Sequence, residues 1–169
     1  TQLNIGRVLY KTGDYDGAVV AFNKAIEFTR DGDTDDALFN LGLVLKLKRD
    51  FTGAIDCFKT VIKHPPTNAQ AYFHLAHAYY YIDEKIDLAI SNCEKAIELD
   101  EASLHFYWGI GNMYEKKYRL SPGKAGEAFM RDAVKTYKGI IEAAPTHRFA
   151  ELAKLRIANP HSRDQWLER

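Results

Sequence analysis

The sequence lacks any apolar run near the roughly 18 residues needed to cross a bilayer, so no membrane span is expected. It also lacks an excess of either charge: 23 Lys and Arg balance 23 Asp and Glu. No global field therefore draws the chain to nucleic acid or to an anionic membrane, and neither is expected as a partner. Cysteine is scarce. Cys57 and Cys93 are far apart, form no C-x-x-C, and cannot make a disulfide framework, which points to a reducing compartment, the cytoplasm by default. No Ser, Cys or carboxylate pair stands in a recognisable nucleophile or general-acid motif. The chain therefore reads as a non-enzyme with no cofactor, no metal and no catalytic residue. It opens at Thr1 inside a helical pattern, which reads as a fragment or processed product whose original start is missing.

What is present is a folded composition, 46% hydrophobic and 27% charged, and a repeat. Gly6, Gly42, Ala76 and Gly111 recur at spacings of 36, 34 and 35. Each precedes an Ala (Ala18, Ala54, Ala89, Ala133), and four residues after each Ala stands Phe22, Phe58, Cys93 or Tyr137. Apolar residues at 38, 41 and 45, and at 54, 58, 61 and 62, have the spacing of helices with one buried stripe. Turn and cap residues separate them: Thr12-Gly13-Asp14, Arg49-Asp50, Pro65-Pro66-Thr67-Asn68 and Ser121-Pro122-Gly123. A two-helix unit this short cannot hide its stripe alone, so its neighbours must stack on it. Gly or Ala is required where paired helices approach, because a larger side chain would wedge them apart.

The motif Tyr107-x2-Ile110-Gly111-x2-Tyr114, and Leu38-x2-Leu41-Gly42-x2-Leu45 with Ala54-x3-Phe58 and Pro66, resembles the tetratricopeptide repeat, a helix-turn-helix unit of about 34 residues. The resemblance spans residues 1 to about 145. It implies an all-α fold, a right-handed α-solenoid of stacked repeats. The register divides the chain into repeats at 1–32, 33–67, 68–101 and 102–145, followed by a C-terminal capping helix and tail at 146–169. The fourth unit holds about ten extra residues between Tyr114 and Ala133. With Ser121-Pro122 as a helix start, these are expected to lengthen its second helix at the N-terminal end. After Pro145, Phe149, Leu152, Ala153 and Leu155 to Ile157 supply the stripe of a further first helix, ended by Asn159-Pro160, on which Trp166 and Leu167 could fold back.

Several sharper motifs weaken on inspection. Gly109-Ile110-Gly111 could open a dinucleotide loop, but the third glycine is replaced by Tyr114 and no strand precedes it. Asp31-Gly32-Asp33-Thr34-Asp35 begins like a calcium loop, yet its sixth place is Asp36 and its twelfth Gly42. The acids suit the positive N-terminus of the next helix instead. His74 and His77 share a helical face and His105 stands in the next unit, but no carboxylate nearby in sequence would orient them on a metal. Cys93 falls at a packing place and reads as a small hydrophobe.

In such an array the first helices line the concave side. Residues flanking their buried stripes give the candidate peptide-binding groove: Asn4, Arg7 and Lys11; Phe39, Asn40, Leu43 and Lys46; Phe73, His74, His77, Tyr80 and Tyr81; His105, Trp108 and Asn112. Leu3, Tyr10, Asp36, Gln70, Glu115 and Lys116 flank the same stripes. Phe39, Phe73 and Trp108 fall at equivalent places and read as an apolar ladder beside amide and cationic donors, the ingredients of a peptide-binding surface. The family's best-known groove holds a chaperone's C-terminal carboxylate with Lys, Asn, Asn, Lys and Arg. The matching places here are Leu3, Arg7, Asn40, Gln70 and His74, so only Asn40 agrees and that tail is not the expected guest. A different extended segment or amphipathic helix of a protein or peptide partner, carrying acidic residues toward Arg7, Lys11, Lys46 and the histidines, is expected. Two other readings remain: self-association through the array ends, and single-stranded RNA binding, which the absence of a continuous basic stripe disfavours.

Overall fold

The computed structural model describes residues 1–29, 34–64, 68–121 and 123–159. The residues at 31–33 of the calcium-like run, 65–67 of the turn ending at Asn68, Pro122, Pro160, Trp166 and Leu167 lie outside that set. Among the described residues there is no strand, and the helices follow in pairs. They are α1 (Gln2–Thr12) with α2 (Tyr15–Phe28), α3 (Asp35–Leu47) with α4 (Phe51–Val61), α5 (Ala69–Tyr80) with α6 (Ile86–Leu99), and α7 (Leu104–Leu120) with α8 (Lys124–Ala143), followed by α9 (Arg148–Ala158). The fold is an all-α stack of helix-turn-helix repeats, grouped into two compact units, Thr1–Asp100 and Glu101–Arg169.

Local chemistry sets the turns. Asp14 and Asp50 cap α2 and α4, each accepting a hydrogen bond from the backbone N–H of the glycine three residues on, at 2.9 Å. Gly13, at φ 85°, closes α1 in the left-handed region where glycine is unstrained. Arg49 occupies the corresponding place after α3 with φ 64° and carries a side chain there at a cost. Asn68 caps α5 through the Ala71 N–H at 3.1 Å. Between α5 and α6 a 3-10 turn at Asp83–Lys85 is inserted, and the spacing from Ala76 to Ala89 is one residue longer than its counterparts in the first two units.

Helix pairing rests on one repeated contact. Gly6, Gly42 and Gly111 lie under the rings of Phe22, Phe58 and Tyr137, and a Cβ at any of them would fall less than 3.0 Å from ring carbons. All three rings are fully enclosed, so no space remains for them to retreat. In the third unit the same two places hold Ala76 and Cys93, both buried. A methyl group and a thiol there stand where the other units set a ring over glycine. Burial pushes the Cys93 thiol up to about 12, with the Glu94 charge adding to it, so the group is a packing element and not a nucleophile.

In Thr1–Asp100, α1 touches α3 and α3 touches α5, whereas the second helices have no comparable contact with one another. The first helices therefore lie side by side on an inner face, with α2 and α4 wedged between successive pairs. In Glu101–Arg169, α8 packs on both α7 and α9, and α9 also touches α7.

The extra residues of the fourth unit go to both of its helices, 17 residues in α7 and 20 in α8. Ser121 ends α7, α8 begins at Lys124 after Gly123 at φ 71°, and both helices are extended. Gly126 makes this close pairing feasible, since a Cβ there would collide with the carbonyl oxygens of Ser121 and Tyr118. Lys117 braces the pair from the other side, its ammonium 4.3 Å from the centroid of Phe129.

Cys93→Phe should overpack the third unit and lower stability by about 1–3 kcal/mol. Adding Ala76→Gly should recover much of that loss, as judged by urea unfolding monitored by circular dichroism. By the same measurement, Arg49→Gly should raise stability by about 0.5–1 kcal/mol by relieving the left-handed backbone.

Candidate functional site

The inner face of Thr1–Asp100 brings most of the sequence-derived groove residues onto α1, α3 and α5. Arg7 does not stand open as a lone cation: its Nη2 donates to Asp36 Oδ2 at 2.9 Å, tying α1 to α3. Asn40 turns back on its own helix, donating to the Asp36 carbonyl at 2.6 Å. A cavity of about 340 Å³ opens beside them, with Arg7, Asp36, Phe39, Asn40, Asn68 and Gln70 in its wall. Asn4 and Lys11 are exposed at the two ends of α1, and Leu43 is half-buried on α3.

Lys46 is the most perturbed cation on this face. Its Nζ donates to His74 Nδ1 at 3.0 Å, and among the described residues no carboxylate accepts from it. Burial without a compensating anion lowers its pKa to about 8. His74 sits among the rings of Phe39, Phe58 and Phe73, with centroids 5.6, 5.8 and 5.7 Å away. At the C-terminal end of α5, His77, Tyr80 and Tyr81 form a cluster: His77 is 5.3 Å from Tyr81, and Tyr81 lies edge-to-face with Tyr80 at 5.4 Å. Tyr81 stacks flat on Phe51 of α4 at 4.5 Å. Phe51 was not among the candidate groove residues. Its place directly after the Asp50 cap, matching Tyr15 after Asp14, was the available signal.

The aromatic ladder is corrected by the structure. Phe73 is only 3% exposed and belongs to the core, so it offers nothing to a guest. Phe39 leans on Phe58 of its own second helix at 5.8 Å and on His74 of the next first helix. Trp108 repeats the pattern within Glu101–Arg169, lying 5.3 Å from Tyr137 and stacked at 9° on Phe149 of α9. The recurring aromatic is thus a stacking device: it fills the angle between one pair and the helix that follows. His105 also packs on Phe149, at 5.8 Å. Asn112 accepts a 3.0 Å hydrogen bond from the Tyr137 hydroxyl, which fixes that ring over Gly111. Glu115, expected on the groove, is buried and bound by Arg156 Nη1 at 3.2 Å, linking α7 to α9. Among the described residues no group of three His, Cys, Asp or Glu side chains is placed to hold a metal ion, and no helix is long and apolar enough to cross a membrane.

A family profile described as TPR repeat matches residues 6–49, and two described as Tetratricopeptide repeat match residues 36–67 and 69–103. The chain belongs to the tetratricopeptide-repeat family. Protein–protein interaction is the role this membership assigns to the scaffold. Tetratricopeptide-repeat structures align over nearly all of it. MamA aligns at 25% identity with a TM-score of 0.70, covering 91% of this chain and 85% of that one. A MamA form (41-end) from Desulfovibrio magneticus RS-1 gives 22%, 0.71, 87% and 76% for the same quantities. YrrB, a tetratricopeptide-repeat protein with an unusual peptide-binding site, gives 19%, 0.68, 95% and 78%. No curated protein sequence matches.

Because the folded-state pKa of Lys46 lies below its unfolded value of 10.5, the unfolded chain holds more protons between about pH 8 and 10.5. Lys46 should therefore make stability rise with pH across that window, and the rise should be smaller in Lys46→Met, as read by urea unfolding at stepped pH. Arg156→Met should take the Arg156 guanidinium away from the buried Glu115 carboxylate, at a cost of about 3–5 kcal/mol. Pairing it with Glu115→Leu should restore most of the loss in the same assay.

Proposed function

We propose that this tetratricopeptide-repeat chain is a non-catalytic scaffold that holds a peptide segment or helix of a partner protein against the inner face of α1, α3 and α5. The observation that carries this reading is the half-buried cation Lys46, set among accessible apolar side chains and given no carboxylate by the described residues. An acidic side chain of a guest would supply that missing charge in a partly dry setting, where a charge-assisted hydrogen bond is strong. Phe39, Leu43 and Tyr80 are partly exposed around it and would receive apolar side chains. Leu3, Gln70 and His74 remain at places where a chaperone-tail clamp would have Lys, Lys and Arg, which supports a guest of another kind.

The test is a peptide library selected on the intact chain, with affinities of the enriched peptides read by fluorescence anisotropy. Enrichment of peptides with an acidic residue flanked by apolar ones is expected, with affinity falling at least about tenfold in Lys46→Glu and Leu43→Glu. Helicity should be unchanged in both. Peptides that bind both variants as well as the parent would refute the inner face as the site.

A further inference from the structure

Lys46 and His74 form a pair whose geometry suits chemistry on the amine as well as binding. Nζ lies 3.0 Å from Nδ1, the histidine ring is boxed by three phenyl rings, and Lys46 itself is partly open on the inner face. The contrast within the same chain is sharp. Lys48 is bound to Asp16, and Lys95 is bound to Glu98 at 2.6 Å, which raises the Lys95 pKa through that hydrogen bond. A carboxylate partner holds an amine in its ammonium form, which has no lone pair to attack with. An imidazole partner in an apolar box does the reverse, since it accepts a proton and adds no negative charge.

We propose that Lys46 is a modification site that takes an acyl group from a small acyl thioester, with His74 as the proton acceptor. The neutral Nζ attacks the thioester carbonyl carbon and forms the C–N bond. The tetrahedral adduct collapses with cleavage of the C–S bond, and the sulfur leaves as thiolate. The proton lost from nitrogen passes to His74 Nδ1 and from there to the thiolate, so that an amide and a free thiol are the products. No oxidant, metal or second cofactor is required. The lowered amine pKa, about 8, gives Lys46 a substantial neutral fraction near neutral pH. Acylation would replace the one cation that Proposed function assigns to guest recognition with a neutral amide. That regulatory consequence rests on the guest reading, whereas the acyl transfer does not.

The intact chain is treated with limiting acetyl-coenzyme A as the probe, and acetylation of each lysine is followed by peptide mass spectrometry. At about pH 7.5, Lys46 should react about tenfold faster than the average lysine, and the preference should vanish near pH 10.5, where ordinary lysines also lose their protons. His74→Asn should reduce the Lys46 rate severalfold while leaving the other lysines and the helicity unchanged. A Lys46 rate at or below the average in the parent chain would overturn the site. A rate unaffected by His74→Asn would overturn the role of the imidazole. Because no guest is present, the outcome is independent of whether the inner face binds peptides.

Discussion

The structure depends on how closely two helices approach at four places in the chain. At Gly6, Gly42 and Gly111 the absence of a side chain lets an aromatic ring from the paired helix lie on the backbone itself. That contact sets the distance between the helices of a pair, and through it the angle at which each pair presents its outer stripe to the next. The rings are fully buried, so they are also among the largest side chains of the core. Where Ala76 takes the glycine place, Cys93 takes the ring's, and both are fully buried. A repeat protein tolerates such exchanges because each unit answers only to its neighbours.

Aromatic residues in this chain divide by what lies next to them. Phe22, Phe58 and Tyr137 close the pairs from within. Phe39 and Trp108 close the angle between one pair and the helix after it. The residues then left accessible on the inner face of Thr1–Asp100 are fewer than the helical register alone implies, and they centre on Lys46, Leu43 and the tyrosines at the end of α5. The electrostatics of that face follow from the same economy of space. Arg7 and His64 have carboxylate partners on α3, whereas Lys46 is served by an imidazole.

In Glu101–Arg169 a different solution joins the helices. The lengthened α7 and α8 are held by Gly126 and by the Lys117–Phe129 contact, and α9 is locked to α7 by a buried ion pair. Such a pair adds little net stability over apolar packing. Within this unit His105 and Trp108 of α7 are used to seat α9.

The sequence by itself determined the repeat, the helical class, the family resemblance and the small residues at the close approaches. All of these are written in spacing, which local sequence carries directly. Helical periodicity also fixes which flank of its own helix each of Lys46, Leu43 and the α5 tyrosines occupies. Only the tertiary structure decided which flanking residues stay available. Phe73 and Glu115 are buried and Trp108 is stacked, by neighbours that lie far along the chain or on the following helix. The partition of the extra residues between α7 and α8 belongs to the same class, since it turns on Gly126 fitting against carbonyl oxygens of the preceding helix. Periodicity gives the direction of a side chain from its own helix; what stands opposite it is set by packing between helices, and no spacing within one helix records that.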